Sequence, residues 1–362
     1  MSRNTRARTS AAVALAAAVA LGLGACSSSD ASSAPAAGGA TSGSPTTVNL
    51  VVHDSFVISD AAKAAFEKES GLTLNVVTSG DGGQLANQLV LTKDAPLGDA
   101  FFGVDNSYAT RVVQAGVIEP YTSAALPTSA ARFAVDDAGS LTPIDYGDVC
   151  VNVDTAWFDK KKLTPPASYE DLTKPEYQDL TILLDPTSSS PGTAFLFGTI
   201  AHFGTDGYLD YWTRLLDNGA KIDSGWSDAY YSDYTGGSED GTYPVVVSYN
   251  TSPAETLDEA GTSTTTAAVL STCTDQVEYA GVLAGAKNPE GAKKIVDFLL
   301  GQEFQSEIAA GMYMYPVLES AGVPDSWTSF APLPATTNDV PAADIAAHRD
   351  EWLSDWSDAV GQ

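Results

Sequence analysis

The residues best suited to chemistry fall in two stretches between Gly225 and Pro253. Gly225-Trp226-Ser227-Asp228-Ala229-Tyr230 sets an indole among carboxylates and phenols, and Tyr249-Asn250-Thr251-Ser252-Pro253 adds an aromatic face, an amide and two hydroxyls. None of these groups is a nucleophile paired with a base. An indole face near carboxylates suits a flat organic cation, at about 0.5–2 kcal/mol per contact. The alternative for Trp226 is a core anchor, but its neighbours Ser224, Ser227, Asp228, Tyr230 and Tyr231 are poor company for a core.

The elements around these residues must place them in a crevice. Val245-Val246-Val247 reads as a buried strand, and Ser252 before Pro253 and Glu255 reads as a helix N-cap with proline at the first helical position. Tyr249 to Ser252 then sit at a strand's carboxyl end, where open α/β sheets bind ligands and where free helix N–H groups hold anions. The rest of the chain alternates in the same way. Val48 to Val52 predicts a strand, Ser59 to Ser70 a helix closed by Gly71, Leu72 to Val77 a strand, Gln84 to Leu91 a helix after the turn Gly80-Asp81-Gly82-Gly83, and Ala100 to Val104 a strand ending at Asp105. The pattern restarts at Leu180 to Leu184, followed by Asp185-Pro186-Thr187-Ser188-Ser189-Ser190-Pro191-Gly192 and a helix over Thr193 to Phe203. Asn288-Pro289-Glu290 opens a helix closed by Gly301, and the last helix is expected over Ala342 to Val360. This is α/β with largely parallel strands, and two such units predict two lobes across a cleft. The expected division is 48–145 for one lobe, 146–266 for the other, and 267–362 for the return to the first with the C-terminal helices. The two chain crossings, near Asp145 to Val153 and Ala267 to Tyr279, would act as hinges.

The chain begins with Arg3, Arg6 and Arg8, followed by an apolar core from Ala11 to Leu23 too short for a comfortable membrane span. Residues 1–25 therefore read as an export leader. Its end, Leu23-Gly24-Ala25-Cys26, resembles the lipobox of bacterial lipoproteins, which implies lipidation at Cys26 and anchoring to the outer face of the cell membrane. Residues 26–47 form a Ser/Ala/Gly tether spanning roughly 25 Å as a flexible coil. The formal charge of −28 excludes nucleic acid as a partner and favours small cations. Besides Cys26 only Cys150 and Cys273 remain; outside the cytoplasm an even pair reads as a candidate disulfide, two buried free thiols being the alternative. His53, His202 and His348 are far apart, with no metal-ligand spacing. There is no Gly-x-Ser-x-Gly elbow, phosphate loop or dinucleotide fingerprint. A binding protein without cofactor or metal is expected, not an enzyme.

Taken with His53-Asp54-Ser55-Phe56, Gly80-Asp81-Gly82, Val104-Asp105-Asn106, Asp145-Tyr146-Gly147, Ser189-Ser190-Pro191-Gly192 and Met314-Tyr315-Pro316-Val317, these motifs resemble the thiamine-binding component of bacterial ABC importers, within the type II solute-binding protein superfamily. The resemblance runs over nearly all of Val48 to Val360. It implies a two-lobed type II periplasmic-binding-protein fold with two hinge crossovers, a monomer that closes on thiamine or a thiamine phosphate and delivers it to a membrane permease. Carried over by position, the ligand contacts would be Asp81, Gly82, Ser189, Ser190, Trp226, Tyr249, Asn250, Thr251 and Ser252. Trp226 and Tyr249 would stack on the rings, Asp81 would supply countercharge, and the serines would bind polar ends. Enterobacterial members carry arginine where this chain has Thr187 and tryptophan where it has Tyr313. The alternative on the same fold is an iron(III) or other small-cation receptor, for which the adjacent Tyr230 and Tyr231 would supply phenolates.

Overall fold

A computed structural model of the chain describes residues 46–361 except 137. The leader over 1–25, Cys26 and all but the last two residues of the 26–47 tether lie outside the described residues. Among the described residues no helix is long and apolar enough to cross a membrane.

The first lobe opens with β1 (Thr47–Val52), α1 (Asp60–Ser70), β2 (Thr73–Thr78), α2 (Gly82–Leu91), β3 (Ala100–Asp105), α3 (Asn106–Gln114) and the short β4 (Ile118–Glu119). β1 lies between β2 and β3, parallel to both. Each helix starts where a side chain can hold its free N–H groups. Ser59 accepts from the Ala62 N–H, and Asp105 accepts from the N–H groups of Ser107 and Tyr108. The helix expected from Gln84 starts two residues earlier, at Gly82, because Asp81 is its cap.

The chain then crosses on β5 (Thr142–Asp154) and builds the second lobe from α4 (Thr155–Lys161), β6 (Thr181–Leu184), α5 (Ser190–Phe203), α6 (Tyr208–Asp217), β7 (Lys221–Asp223), α7 (Trp226–Asp228) and β8 (Val245–Tyr249). It returns on the 18-residue β9 (Thr266–Leu283) to α8 (Pro289–Leu299), α9 (Gln302–Gly311) and β10 (Tyr315–Pro316), then ends in α10 (Trp327–Phe330) and α11 (Ala342–Val360). The strand order β2-β1-β3-β9-β5-β8-β6-β7 puts the two crossing strands in the middle. β5 and β9 are antiparallel partners in both lobes. Residues 142–149 face 274–280 in the first, and residues 151–154 face 266–269 in the second. The register breaks between Val149 and Val151, and there Cys150 is bonded to Cys273.

The first lobe packs Leu50, Val52, Phe102, Ile295 and Phe304 on one side of its strands and Leu85, Phe101, Val104 and Tyr108 on the other. The second lobe packs Val245, Val246, Val247, Ile182, Phe195 and Trp212. α11 joins this second core through Trp352 and Trp356, whose rings meet those of Phe197 and Trp212 edge-on at 5.7 and 5.4 Å. Within the segment 267–362, read as the return to the first lobe together with the C-terminal helices, α8 and α9 pack in the first core and α11 in the second.

The helix expected after Ser252 is absent. Only a three-residue 3-10 turn follows, Ser252–Ala254, and its serine does not cap it. The Ser252 hydroxyl instead folds back to accept the Tyr249 N–H at 3.1 Å and meets Ser248 Oγ at 2.7 Å. The hydroxyl is thus engaged at its own strand end rather than at a helix N-terminus.

The crossing strands also set Asp148 directly opposite Asp275, a like-charge pairing that works against the ladder. Burial pushes the Asp148 carboxyl up to about 8, with the charges of Asp275 and Asp339 adding to it; Arg132 is the cation that acts on Asp275. The folded state therefore holds a proton that the unfolded chain releases near its ordinary value of 3.8. Stability contributed by this site falls as pH rises from the unfolded value towards the folded one and is flat above it. Asp148→Asn is expected to stabilise the protein by about 1–3 kcal/mol at pH 8 and by nothing measurable at pH 4. Urea titrations at both pH values check this, and equal gains at both would contradict it.

Candidate functional site

A cavity of about 250 Å³ opens between the lobes, just below the roughly 300–1,000 Å³ usual for small-molecule sites. From the first lobe it is lined by His53, Asp54, Ser55, Asp81, Gly82 and Glu278, from the second by Ser190, Trp226, Tyr231, Tyr249, Ser252 and Glu255, and after α9 by Met312, Tyr313 and Met314.

Trp226 begins the short helix after β7, half-buried, and its indole is fixed from three sides. Nε1–H donates to Ser248 Oγ at 2.8 Å, Tyr230 stacks on one face with centroids 5.0 Å apart, and Tyr249 and Tyr231 meet it edge-on at 5.9 and 5.3 Å. Tyr249 sits at the end of β8, touching the cores of both lobes. The two rings thus hold a preset corner of the cavity.

Asp81 is 6% exposed and accepts from two donors of the other lobe. Its Oδ1 accepts the Ser190 N–H at 2.6 Å, and its Oδ2 accepts the Trp226 N–H at 3.1 Å. Burial pushes its carboxyl up, and those two N–H groups oppose the shift. The start of α2 presses so closely on α5 that a Cβ at Gly82 would fall 2.8 Å from the Ser190 Cβ. Glycine is required there by space. The Ser190 hydroxyl is also engaged, donating to Asp105 and accepting from Gln276 Nε2 at 3.2 Å. Burial pushes the Asp105 carboxyl up to about 7, against the Ser190 hydrogen bond and with the Glu278 charge.

Of the residues singled out in the sequence, Asp81, Gly82, Ser190, Trp226, Tyr249 and Ser252 meet at the cavity. Ser189, Asn250 and Thr251 lie behind it. Ser189 is fully buried and caps α5 through the Gly192 N–H at 3.3 Å. Asn250 accepts the Asp148 N–H at 3.0 Å and donates to Pro332 O at 3.1 Å, so its amide holds β5 to the loop before α11. Thr251 is fully buried with its hydroxyl unpartnered among the described residues. The adjacent tyrosines also part company. Tyr231 lines the cavity and donates to Glu255 at 2.9 Å, whereas Tyr230 is buried beneath Trp226. Burial raises both phenols, which disfavours a phenolate pair for iron. Among the described residues no group of three or more His, Cys, Asp or Glu is placed to hold a metal ion.

Three carboxylates that line the cavity, Asp54, Glu255 and Glu278, were not singled out as ligand residues from the sequence. Glu278 had a signal of its own, a charge inside a strand whose neighbours Val277, Tyr279 and Ala280 are apolar.

The family model described as bacterial extracellular solute-binding protein matches residues 96–340. The chain belongs to this family. It is 31% identical to the thiamine-binding periplasmic protein of Salmonella typhimurium over 87% of this chain and 94% of that one. The protein of the same name from Escherichia coli is 30% identical with the same coverage. A solved periplasmic thiamin binding protein superposes with a TM-score of 0.74 at 29% identity, covering 87% of this chain and 96% of the other.

In this solute-binding protein the cavity offers aromatic faces from Trp226, Tyr231, Tyr249 and Tyr313 and carboxylates from Asp54, Asp81, Glu255 and Glu278. No lysine or arginine is among the described residues that line it. The N-terminus of α5, where an anion would be expected to dock, already has its first N–H bonded to Asp81. The chemistry selects a flat, positively charged molecule with hydrogen-bonding ends.

Proposed function

We propose that this chain is the exported capture component of an importer for thiamine, holding the vitamin in the interlobe cavity and passing it to a membrane permease. The observation that carries the reading is the pairing of the Trp226–Tyr249 corner with acidic walls and no lysine or arginine among the described lining residues. The relatives named for thiamine binding support it over the same span of chain. Trp226 and Tyr249 face the rings, and Ser190 and Ser252 border the polar ends. Lipidation at Cys26 would hold the protein at the membrane as a monomer, with the tether letting the cleft reach its permease. The lobes would swing on β5 and β9, affinity residing in contacts made only when they are shut. Nothing in this scheme turns over a substrate.

Calorimetric titration with thiamine tests the reading. Trp226→Ala is expected to weaken binding about 30-fold, with the melting temperature changed far less, since the indole is only half-buried. Unchanged affinity would remove the platform. Thiamine monophosphate is expected to bind more weakly than thiamine, because its added charge faces Asp54, Asp81, Glu255 and Glu278 without a lysine or arginine among the described lining residues to meet it.

A further inference from the structure

We infer that Glu278, not Asp81, is the counter-ion for the ligand's positive ring, with His53 and Asp145 as its polar neighbours. The inference rests on the thiamine reading and assigns its charge recognition to one side chain.

Asp81 is a poor counter-ion because its charge is already answered. It accepts N–H groups from Ser190 and Trp226 and caps α2 through Gly83, so its lone pairs point at the starts of three helices, α2, α5 and α7. A ligand cation would have to displace bonds that join the lobes. Glu255 is engaged by the Tyr231 hydroxyl at 2.9 Å, and Asp54 is exposed to screening solvent.

Glu278 differs in being buried and on a cavity wall. It lies 8% exposed on β9, the strand between β3 and β5, with Asp105 opposite it on one side and Asp145 on the other. Residues paired across antiparallel strands share a face, so three carboxyl groups stand in one row. Asp105 is occupied by the N–H groups of Ser107 and Tyr108 and the hydroxyl of Ser190. Asp145 is fully buried, and neither of its oxygens has a partner among the described residues. Burial, and then the charge of Glu278, push the Asp145 carboxyl far up. Glu278 is the residue that faces it across the β5–β9 ladder.

His53 is the other polar neighbour. Its Nδ1 accepts the Ser55 N–H at 3.2 Å, which places the imidazole proton on Nε2, and Nε2 faces Glu278 Oε1 at 3.4 Å. The backbone makes room for this ring. Gly103 has φ +99°, and a side chain there would run into the His53 imidazole. His53 Nε2 and the Asp145 carboxyl stand beside Glu278 without hydrogen-bonding it among the described residues, so its lone pairs remain for the cavity, where a cation is attracted through a low-dielectric wall.

The test compares thiamine with an analogue whose thiazolium ring is replaced by an uncharged thiophene, titrated by calorimetry into wild-type protein and Glu278→Gln. Wild-type protein is expected to prefer thiamine by about 100-fold, and Glu278→Gln to lose most of that preference while binding the neutral analogue as before. Glu278→Asp, which withdraws the carboxylate by one methylene, should fall between the two and serves if the glutamine variant does not fold. A preference kept in full by either variant overturns the assignment. Wild-type protein that binds neither ligand overturns the thiamine reading itself, and the counter-ion with it; wild-type protein that binds thiamine no better than the thiophene overturns the counter-ion alone.

Discussion

Replacing Cys150 and Cys273 together by alanine is expected to lower folding stability by about 3–5 kcal/mol, the largest stability change foreseen for this chain. The bond closes a loop of 123 residues, which contains almost the whole second lobe. Cutting it releases a large part of the unfolded chain from constraint, and closure of a loop this long is worth roughly 4–5 kcal/mol in the chain-entropy account. Both sulfurs are fully buried, so alanine also leaves a small void. The position adds a functional consequence, because the bond fastens the crossing strands at their register break, where they pass from one lobe to the other. Loss of it should widen the range of open conformations and weaken ligand binding less than it weakens folding. Urea unfolding of wild-type, reduced and Cys150→Ala/Cys273→Ala protein measures the first effect. Equal midpoints for all three, or two free thiols by intact mass in the exported protein, would contradict the expectation.

Elements bounded by local signals were legible in the sequence, and contacts made across the cleft were not. α1 lies between its Ser59 cap and Gly71, and α8 follows Asn288-Pro289, because caps and proline act within one turn. The three valines of β8 are buried on both faces, as a continuous β-branched run requires. The Trp226–Tyr249 corner was legible because polar neighbours surround two large rings. Ser252 misled because its hydroxyl had a nearer partner in the strand end, a choice that depends on how β8 finishes. α11 has no local mark of which core it joins; that is settled by Trp212 and Phe197, far back in the chain. Asp81 reads as an ordinary turn residue, since its partners Ser190 and Trp226 lie 109 and 145 residues away.

Asp81→Ala should lower the apparent affinity for thiamine by about 100-fold or more, for a reason different from loss of charge recognition. The two hydrogen bonds from Ser190 and Trp226 join the first lobe to the second, and bonds to a charged acceptor contribute about 1.5–3 kcal/mol each, without being strictly additive. Alanine leaves both N–H groups without their partner when the lobes are shut, whereas water satisfies them when the lobes are open. The closed state becomes rarer, and apparent affinity falls with its population. A ligand's own charge does not enter this argument, so thiamine and its uncharged thiophene analogue should lose equally. Glu278→Gln should instead penalise only the charged one, and the two variants together separate closure from recognition. Asp81→Asn keeps one acceptor oxygen and should fall between wild type and alanine. Small-angle scattering of the ligand-free proteins gives an independent reading, with Asp81→Ala expected to show the larger radius of gyration. Were Asp81→Ala to bind thiamine as tightly as wild type, the bonds to Ser190 and Trp226 would be consequences of closure rather than causes, and closure would have to be driven by the aromatic corner alone.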